Sequence, residues 1–441
     1  MHIVVFFLAL VVQAFFVPPA RPQTPQIQEV ILDNGLKVLL LENHKSPSVN
    51  FQVWYHVGSR NEEDGKSGLS HFLEHMMFKG TPKVGPEEYS RIIAKNGGRS
   101  NAFTSADHTV YFATMSQEKI GIAIELEADR MANALLDGSY FEPEKKVIME
   151  ERRLRTEDNP TSALAEVTGA VAYTVHPYRR PVIGWMGDIQ RLSWEDLQKH
   201  YKSYYLPNDA FIVVLGDFST PEILAKIKTA FSKIPRGPAL PKVQIDEPPQ
   251  RGERRVILKK EAELPFLLIY YHAPNIKDPN SFALDLLSVV LAGGRSSRLY
   301  QDLVYHKRIA RSVDADYEGL SVDPTVFSIT AQVMPDKDPA EVERAVDGLI
   351  QRVRSEPVSV RELEKAKNQI AAAFVFGQDS VFGQAMRIGQ YESAVGWRLL
   401  DSYLPGIRKV TAEDILKAAK QYLDPDRRTV GTLIPIKEKK Q

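Results

Sequence analysis

His71, Glu74 and His75 lie in the stretch Gly68 to Thr81, Gly-Leu-Ser-His-Phe-Leu-Glu-His-Met-Met-Phe-Lys-Gly-Thr. On a helix, positions i, i+3 and i+4 share one face, so two imidazoles and a carboxylate point the same way. The flanking Leu69, Phe72, Leu73, Met76 and Met77 supply the apolar surface of a buried helix. Three polar groups on so apolar a helix are costly to bury without a partner, and a metal ion is the obvious one. A catalytic zinc takes three protein ligands and leaves one position for water, whose pKa drops to roughly 7. His71 and His75 supply two ligands. Glu74 is then free to accept the water's proton and pass it to a leaving amine. The order His-x-x-Glu-His inverts the commoner His-Glu-x-x-His. The competing reading is a pair of core histidines satisfied by hydrogen bonds.

The third ligand must come from elsewhere, and any carboxylate on a neighbouring helix is eligible. The best cluster is Glu144, Glu150 and Glu151, on a helix that the sequence opens at Pro143. Glu144 and Glu151 are seven apart and share a face, whereas Glu150 is turned away by about 100 degrees. The alternative is a solvated acidic face paired with Lys145, Lys146, Arg152 and Arg153, which suits Glu150 better than Glu151.

The elements around these residues can be read in order. Val30 to Glu42 predicts a hairpin about Asp33-Asn34-Gly35, and Val49 to Val57 a further strand. Helices are expected over Pro86 to Asn96, Gln117 to Leu136, Leu164 to Val175 and Pro221 to Ile234, with Asn159-Pro160 as a break. Ser100 to Ser116 reads as paired strands and Ala210 to Leu215 as a buried one. The proline-rich stretch 237–253 reads as a linker, after which strands resume at Arg255 to Leu258 and Leu267 to His272. The second half repeats the first. Leu192-Ser193-Trp194-Glu195-Asp196-Leu197 has a counterpart 218 residues on, Val410-Thr411-Ala412-Glu413-Asp414-Ile415, and Pro207 and Leu215 match Pro425 and Leu433. The expected fold is α+β, two homologous tandem domains over 25–236 and 254–441, each a mainly antiparallel sheet with helices packed on one side.

A chain of 441 residues is long for one core, in keeping with two domains. Lys+Arg and Asp+Glu both total 56, so the composition points to neither a nucleic-acid binder nor an acidic-substrate trap. Ile3 to Val17 is almost unbroken apolar sequence ending at Pro18, Pro19 and Ala20, which reads as a signal peptide over residues 1–22. It lacks a basic n-region, and an uncleaved membrane anchor is the rival reading. The chain has no cysteine, hence neither disulfides nor thiolate ligands. Export to a bacterial periplasm fits both features.

The segment Gly58 to Thr81 resembles the signature of the pitrilysin/insulinase family of zinc metallopeptidases, and in particular bacterial members of its mitochondrial-processing-peptidase-like branch. The resemblance continues through Gly98-Arg99-Ser100-Asn101-Ala102-Phe103-Thr104, Glu144 to Glu151, His176-Pro177-Tyr178 and Tyr205-Leu206-Pro207-Asn208. It implies one zinc per chain, with His71, His75 and Glu151 as ligands, Glu74 as general base on zinc-bound water and Glu144 as the residue that orients a ligand. It implies a clamshell of four homologous halves, in which an edge strand at Asn101 and Ala102 pairs with the backbone of peptide substrates. Without it, Asn101 and Ala102 read as an ordinary strand start, His56, His108 and Tyr111 as structural, and Arg295, Arg298 and Tyr300 as helix braces. One departure stands out. The family carries an Arg and, seven residues later, a Tyr on a helix of its C-terminal half, which hold the substrate; here Val304 and Arg311 occupy those positions. The second half also lacks His-x-x-Glu-His. The expected assembly is therefore a heterodimer whose homologous partner supplies the Arg and Tyr. A homodimer, with Tyr305, Arg308 or Arg311 substituting locally, is the alternative. The expected activity is endopeptidase cleavage of peptides or unfolded segments; the other reading is a non-catalytic or weakly active assembly subunit.

Overall fold

A computed structural model describes residues 26–240 and 243–436, so the apolar leader lies outside the described residues. Strands β1 (Gln28–Ile31), β2 (Lys37–Glu42), β3 (Ser48–Tyr55), β4 (Arg99–Thr104), β5 (Thr109–Ser116) and β6 (Ala210–Gly216) form one sheet in the order β1-β2-β6-β3-β5-β4. Strands β7 (Arg254–Glu261), β8 (Phe266–Ala273), β9 (Ala310–Tyr317), β10 (Thr325–Val333) and β11 (Arg428–Ile436) form a second, in the order β7-β11-β8-β10-β9. Only β2 with β6 and β7 with β11 run parallel. Leave out β1 and the two sheets have one topology, with β3 and β8, Ser48–Tyr55 and Phe266–Ala273, also 218 residues apart. The duplication is thus visible in the fold, which is α+β with two mainly antiparallel sheets.

Local chemistry accounts for the elements that build it. In the first hairpin Gly35 takes φ +91°, and the buried Asn34 amide donates to the Phe231 and Ile234 carbonyls at 2.9 and 3.0 Å. It thereby satisfies orphan acceptors at the end of helix Thr220–Phe231. Ser193 and Thr411 each form a capping box, with Asp196 and Asp414, at the starts of helices Trp194–Tyr204 and Ala412–Tyr422. Two boundaries differ from the sequence expectation. The helix expected to open at Pro143 begins at Gly138, because Asp137 caps it by accepting from the Ser139 amide at 2.8 Å; Pro143 lies inside and forfeits one bond. Asn159-Pro160, expected as a break, also starts an element: Asn159 accepts from the Thr161 and Ser162 amides, and Pro160 is the first residue of helix Pro160–Ala172.

The first core lies on one face of the first sheet, where Val38, Leu40, Val49, Phe51, Val53, Ile212 and Val214 meet helices of the same half. The intervening Leu39, Leu41, Trp54, Phe211, Val213 and Leu215 point to the other face, as the period of two demands. That face is covered by Ala385 and Ile388 of helix Val381–Ala394, which belongs to the second half. The loan is returned. Leu164, on helix Pro160–Ala172 of the first half, packs on Leu268 and Leu433 of the second sheet. Each sheet therefore keeps its own helices on one face and borrows one for the other.

Candidate metal centre

The motif residues sit on helix Leu69–Met76. Its N-cap, Gly68, takes φ +89°, and a Cβ there would lie 2.5 Å from the Ile183 carbonyl oxygen, so both conformation and space require glycine. A glycine offers no capping side chain. The buried Glu62 carboxylate replaces it, accepting from the Gly68 and Ser70 amides at 2.8 and 2.7 Å, while burial pushes its pKa up to about 8. The helix is pinned to helix Gly138–Arg152 by Phe72, whose ring stacks on Phe141 at 4.8 Å.

That packing brings Glu151 against the two histidines. Its Oε2 lies 3.7 Å from His71 Nε2 and 3.3 Å from His75 Nε2. One ligand atom from each of the three residues falls within 4.8 Å of the others, the only such group among the described residues. Glu144, one heptad earlier, reaches the opposite side of the same imidazole: its Oε1 accepts from His75 Nδ1 at 2.8 Å, and its Oε2 accepts from Lys79 Nζ at 2.9 Å. In the neutral ring, a proton on Nδ1 leaves the Nε2 lone pair facing Glu151 and His71. Glu150 is outside this cluster: it lines the same cleft but is exposed and pairs with Arg153.

Electrostatics follow from burial and these contacts. Burial, with His75 adjacent, lowers the His71 pKa to about 4. Burial acts in the same direction on His75, but the Glu144 and Glu151 carboxylates outweigh it and raise the pKa to about 9. The Glu151 pKa is lowered, chiefly by its hydrogen bond with His75. For Glu144, burial works upward but the His75 and Lys79 donors prevail and lower it. Glu74 is raised by burial and held back by the Thr104 hydroxyl, which donates to its Oε2 at 2.6 Å.

The donor set passes a test of fit to zinc. Two imidazole nitrogens and one carboxylate oxygen converge, the number and type that a catalytic zinc takes from protein. His75 has its outer nitrogen held by a carboxylate, as zinc-binding histidines do. The His71 Nδ1 is buried without a hydrogen-bond partner among the described residues, so none of them holds that nitrogen from behind. The three residues open onto a cleft of about 1200 Å³, which Glu74, Asn101, Ala102 and Thr104 also line. Strand β4, which carries Asn101 and Ala102, is the edge of its sheet and pairs only with β5.

Other residues singled out from the sequence lie away from this cluster. His56 packs its ring on Phe211 at 5.2 Å, and His108 Nδ1 shares a hydrogen bond with Ser393 at 3.1 Å. The Tyr111 hydroxyl meets that of Tyr205 in the core, at 2.9 Å. Arg298 braces Glu362 at 2.7 and 2.9 Å. The stretch 303–311 is not one helix: Val304 lies in the π-helix Tyr300–His306, whereas Arg311 lies on edge strand β9, because the chain turns at Arg308, φ +54°. Helix Ser281–Ala292, which follows β8 as the motif helix follows β3, carries no histidine and buries Ala283, Leu286 and Leu287. Three contacts have no counterpart in the sequence reading: Thr104 on Glu74, Lys79 on Glu144, and Arg155, which forms an ion pair with Glu151 Oε1 at 2.8 Å. Thr104 and Lys79 stand within the quoted motif segments, but only proximity in space gives them a partner.

Comparison with known proteins gives the chain a family. Residues 37–184 match the family model described as Insulinase (Peptidase family M16), and residues 191–370 that described as Peptidase M16 inactive domain. The chain is 32% identical to the zinc protease PqqE of Helicobacter pylori, over 94% of each protein. A solved protease from Helicobacter pylori superposes with a TM-score of 0.90 at 32% identity, over 93% of this chain and 100% of that one. The peptidase M16 inactive domain from Pseudomonas fluorescens shares the fold, with a TM-score of 0.82 at 18% identity over 93% of this chain and 98% of that one. The chain belongs to peptidase family M16, the insulinase family, among relatives named as zinc proteases.

Proposed function

We propose that the chain is a zinc-dependent endopeptidase acting on peptides or unfolded segments. The observation that carries this reading is the convergence of His71, His75 and Glu151 beside Glu74 in a cleft whose wall is an edge strand. His71, His75 and Glu151 would hold zinc, which when bound polarises a carbonyl and makes a coordinated water more acidic. Glu144 keeps the His75 proton on Nδ1. The open edge of β4, at Asn101 and Ala102, accepts the substrate backbone as an added strand and so selects extended, unfolded chain. Glu74 takes the proton of the attacking water and returns it to the departing amine. Glu74→Gln should retain zinc and lose hydrolysis by roughly 10²–10⁴-fold; normal cleavage of a fluorogenic peptide by that variant would remove Glu74 as the base.

The substrate clamp is assigned to a homologous partner chain, because Val304 and Arg311 stand where the family carries Arg and Tyr. Co-purification from the native source with metal analysis tests this. Full peptidase activity from a homodimer of the isolated chain would refute it. The apolar stretch Ile3 to Val17 supports export to a periplasm, with an uncleaved anchor as the alternative. Arg at both Val4 and Val5 should block export, and unchanged fractionation would refute that.

A second reading, a non-catalytic or weakly active assembly subunit, is favoured by one feature: the helix of the second half that corresponds to the motif helix is wholly without metal-binding histidines. The first half keeps ligands, base and cleft together, which is why the peptidase reading is preferred.

A further inference from the structure

Thr104 ends β4, the edge strand of the first sheet, and its side chain stands in the same cleft as Glu74. Its register partner on β5 is Thr109, whose own hydroxyl donates to the Val57 carbonyl at 2.9 Å. The Thr104 hydroxyl is thus left to donate its single proton to Glu74 Oε2, at 2.6 Å. Glu74 Oε1 has no hydrogen bond among the described residues. The two oxygens of a symmetric carboxylate are in this way made unequal: one anchored to the sheet, the other facing the cleft.

We propose that Thr104 is the positioning residue for Glu74, tying the base to the edge strand so that Oε1 alone is presented to the reacting water. This rests on the role of Glu74 proposed above. The terminal torsion of a glutamate is broad and roughly two-fold, so without an anchor the carboxylate spreads over orientations that do not aim a lone pair at the cleft. A misplacement of about 1 Å is enough to cost on the order of 100-fold in rate. The same hydroxyl connects two functions, because β4 offers its open edge to the substrate backbone while its last side chain sets the base. A substrate strand that orders β4 orders Glu74 with it.

The test uses the full-length, zinc-loaded chain in whichever assembly cleaves peptides. Thr104→Val removes the hydroxyl and preserves shape and β-propensity. Its kcat should fall about 10–100-fold with KM within about twofold, and its zinc content and melting temperature should be unchanged. Thr104→Ser should restore kcat to within about threefold, since it keeps the donor. T104V combined with E74Q should be no slower than E74Q alone, because two residues acting as one unit do not add. Crystal structures supply a readout that needs no activity: the Glu74 carboxylate should leave its position in T104V and keep it in T104S. Wild-type kcat in T104V, additive losses in the double variant, or an unmoved Glu74 would each overturn the proposal. If instead E74Q cleaves normally, the base assignment fails, and the T104V crystal structure still decides whether Thr104 positions that carboxylate.

Discussion

Three glutamates on one stretch of chain, Glu144, Glu150 and Glu151, differ in what they touch, and replacing each by the isosteric glutamine should separate them. Glu151 faces both histidines, at 3.7 and 3.3 Å. Zinc sites with four protein ligands release about 10–16 kcal/mol, about 2.5–4 per ligand. An amide oxygen is a poorer, uncharged donor, so Glu151→Gln should weaken zinc binding by about 3 kcal/mol, roughly 100-fold in Kd. Glu144 does not face the ion position but holds His75 from behind at 2.8 Å; outer partners of this kind are worth about 10–100-fold in affinity. In Glu144→Gln the side-chain amide oxygen can still accept from Nδ1, which puts the expected loss near the lower bound, about tenfold. Glu150 is exposed and pairs only with Arg153, so Glu150→Gln should stay within about twofold. The measurement is competition with a chromophoric chelator. It is best made near pH 9.5, above the His75 value of about 9, where proton competition for that ring is small, so that loss of a neighbouring carboxylate changes it by less than about twofold. Equal losses for Glu150→Gln and Glu151→Gln, or wild-type affinity in Glu144→Gln, would refute the assignment of roles.

The buried Asp209 has neither carboxylate oxygen hydrogen-bonded among the described residues, and burial raises its pKa to about 8. A raised folded value means that stability is fully present below the unfolded pKa of about 3.9 and is lost as pH rises through about 8. Asp209→Asn should therefore gain on the wild type in thermal melts as pH climbs across that window, with the gap levelling off above it; a pH-independent gap would show that Asp209 does not titrate there. Gly389 lies where the borrowed helix crosses Trp54, and a Cβ there would sit 2.2 Å from the buried indole. Gly389→Ala should cost about 1–3 kcal/mol in chemical denaturation through overpacking, and an unchanged midpoint would mean that the two halves are not held together at that crossing.

The internal duplication was legible because it is written in local chemistry. Ser193 and Thr411 cap equivalent helices with equivalent aspartates, and the Pro207 and Pro425 turns follow at the same interval. The exchange of helices between the halves was not legible, because it is made by contacts between residues far apart in sequence, such as Leu164 with Leu433. A trace of it was present. Val38-Leu39-Leu40-Leu41 and Phe211 to Leu215 are apolar without alternation, the mark of strands buried on both faces. That pattern says a cover exists but not which segment provides it. Pro143 suggests a helix start for a similar reason: a proline signals a first turn from local preference alone, and the cap at Asp137 that overrides it does not stand out in sequence.

The candidate metal site shows where spacing stops being informative and geometry takes over. Glu144 and Glu151 share a helix face, so periodicity alone nominates both as third ligand and cannot rank them. Seven residues of helix span about 10.5 Å, too far for both carboxylates to reach one ion. They reach opposite nitrogens of one ring instead, Glu144 at Nδ1 and Glu151 at Nε2 of His75. The imidazole is the spacer between them. The heptad on one helix and the i, i+4 pair on the other thus work as interlocking rulers: one places two nitrogens toward a common centre, and the other places a ligand on the near side of the second nitrogen ring and its proton holder on the far side. An insertion of one residue between Glu144 and Glu151 would turn them about 80 degrees apart and separate the two roles. Helix continuity from Gly138 to Arg152, with Pro143 placed before rather than between these glutamates, is therefore part of the site.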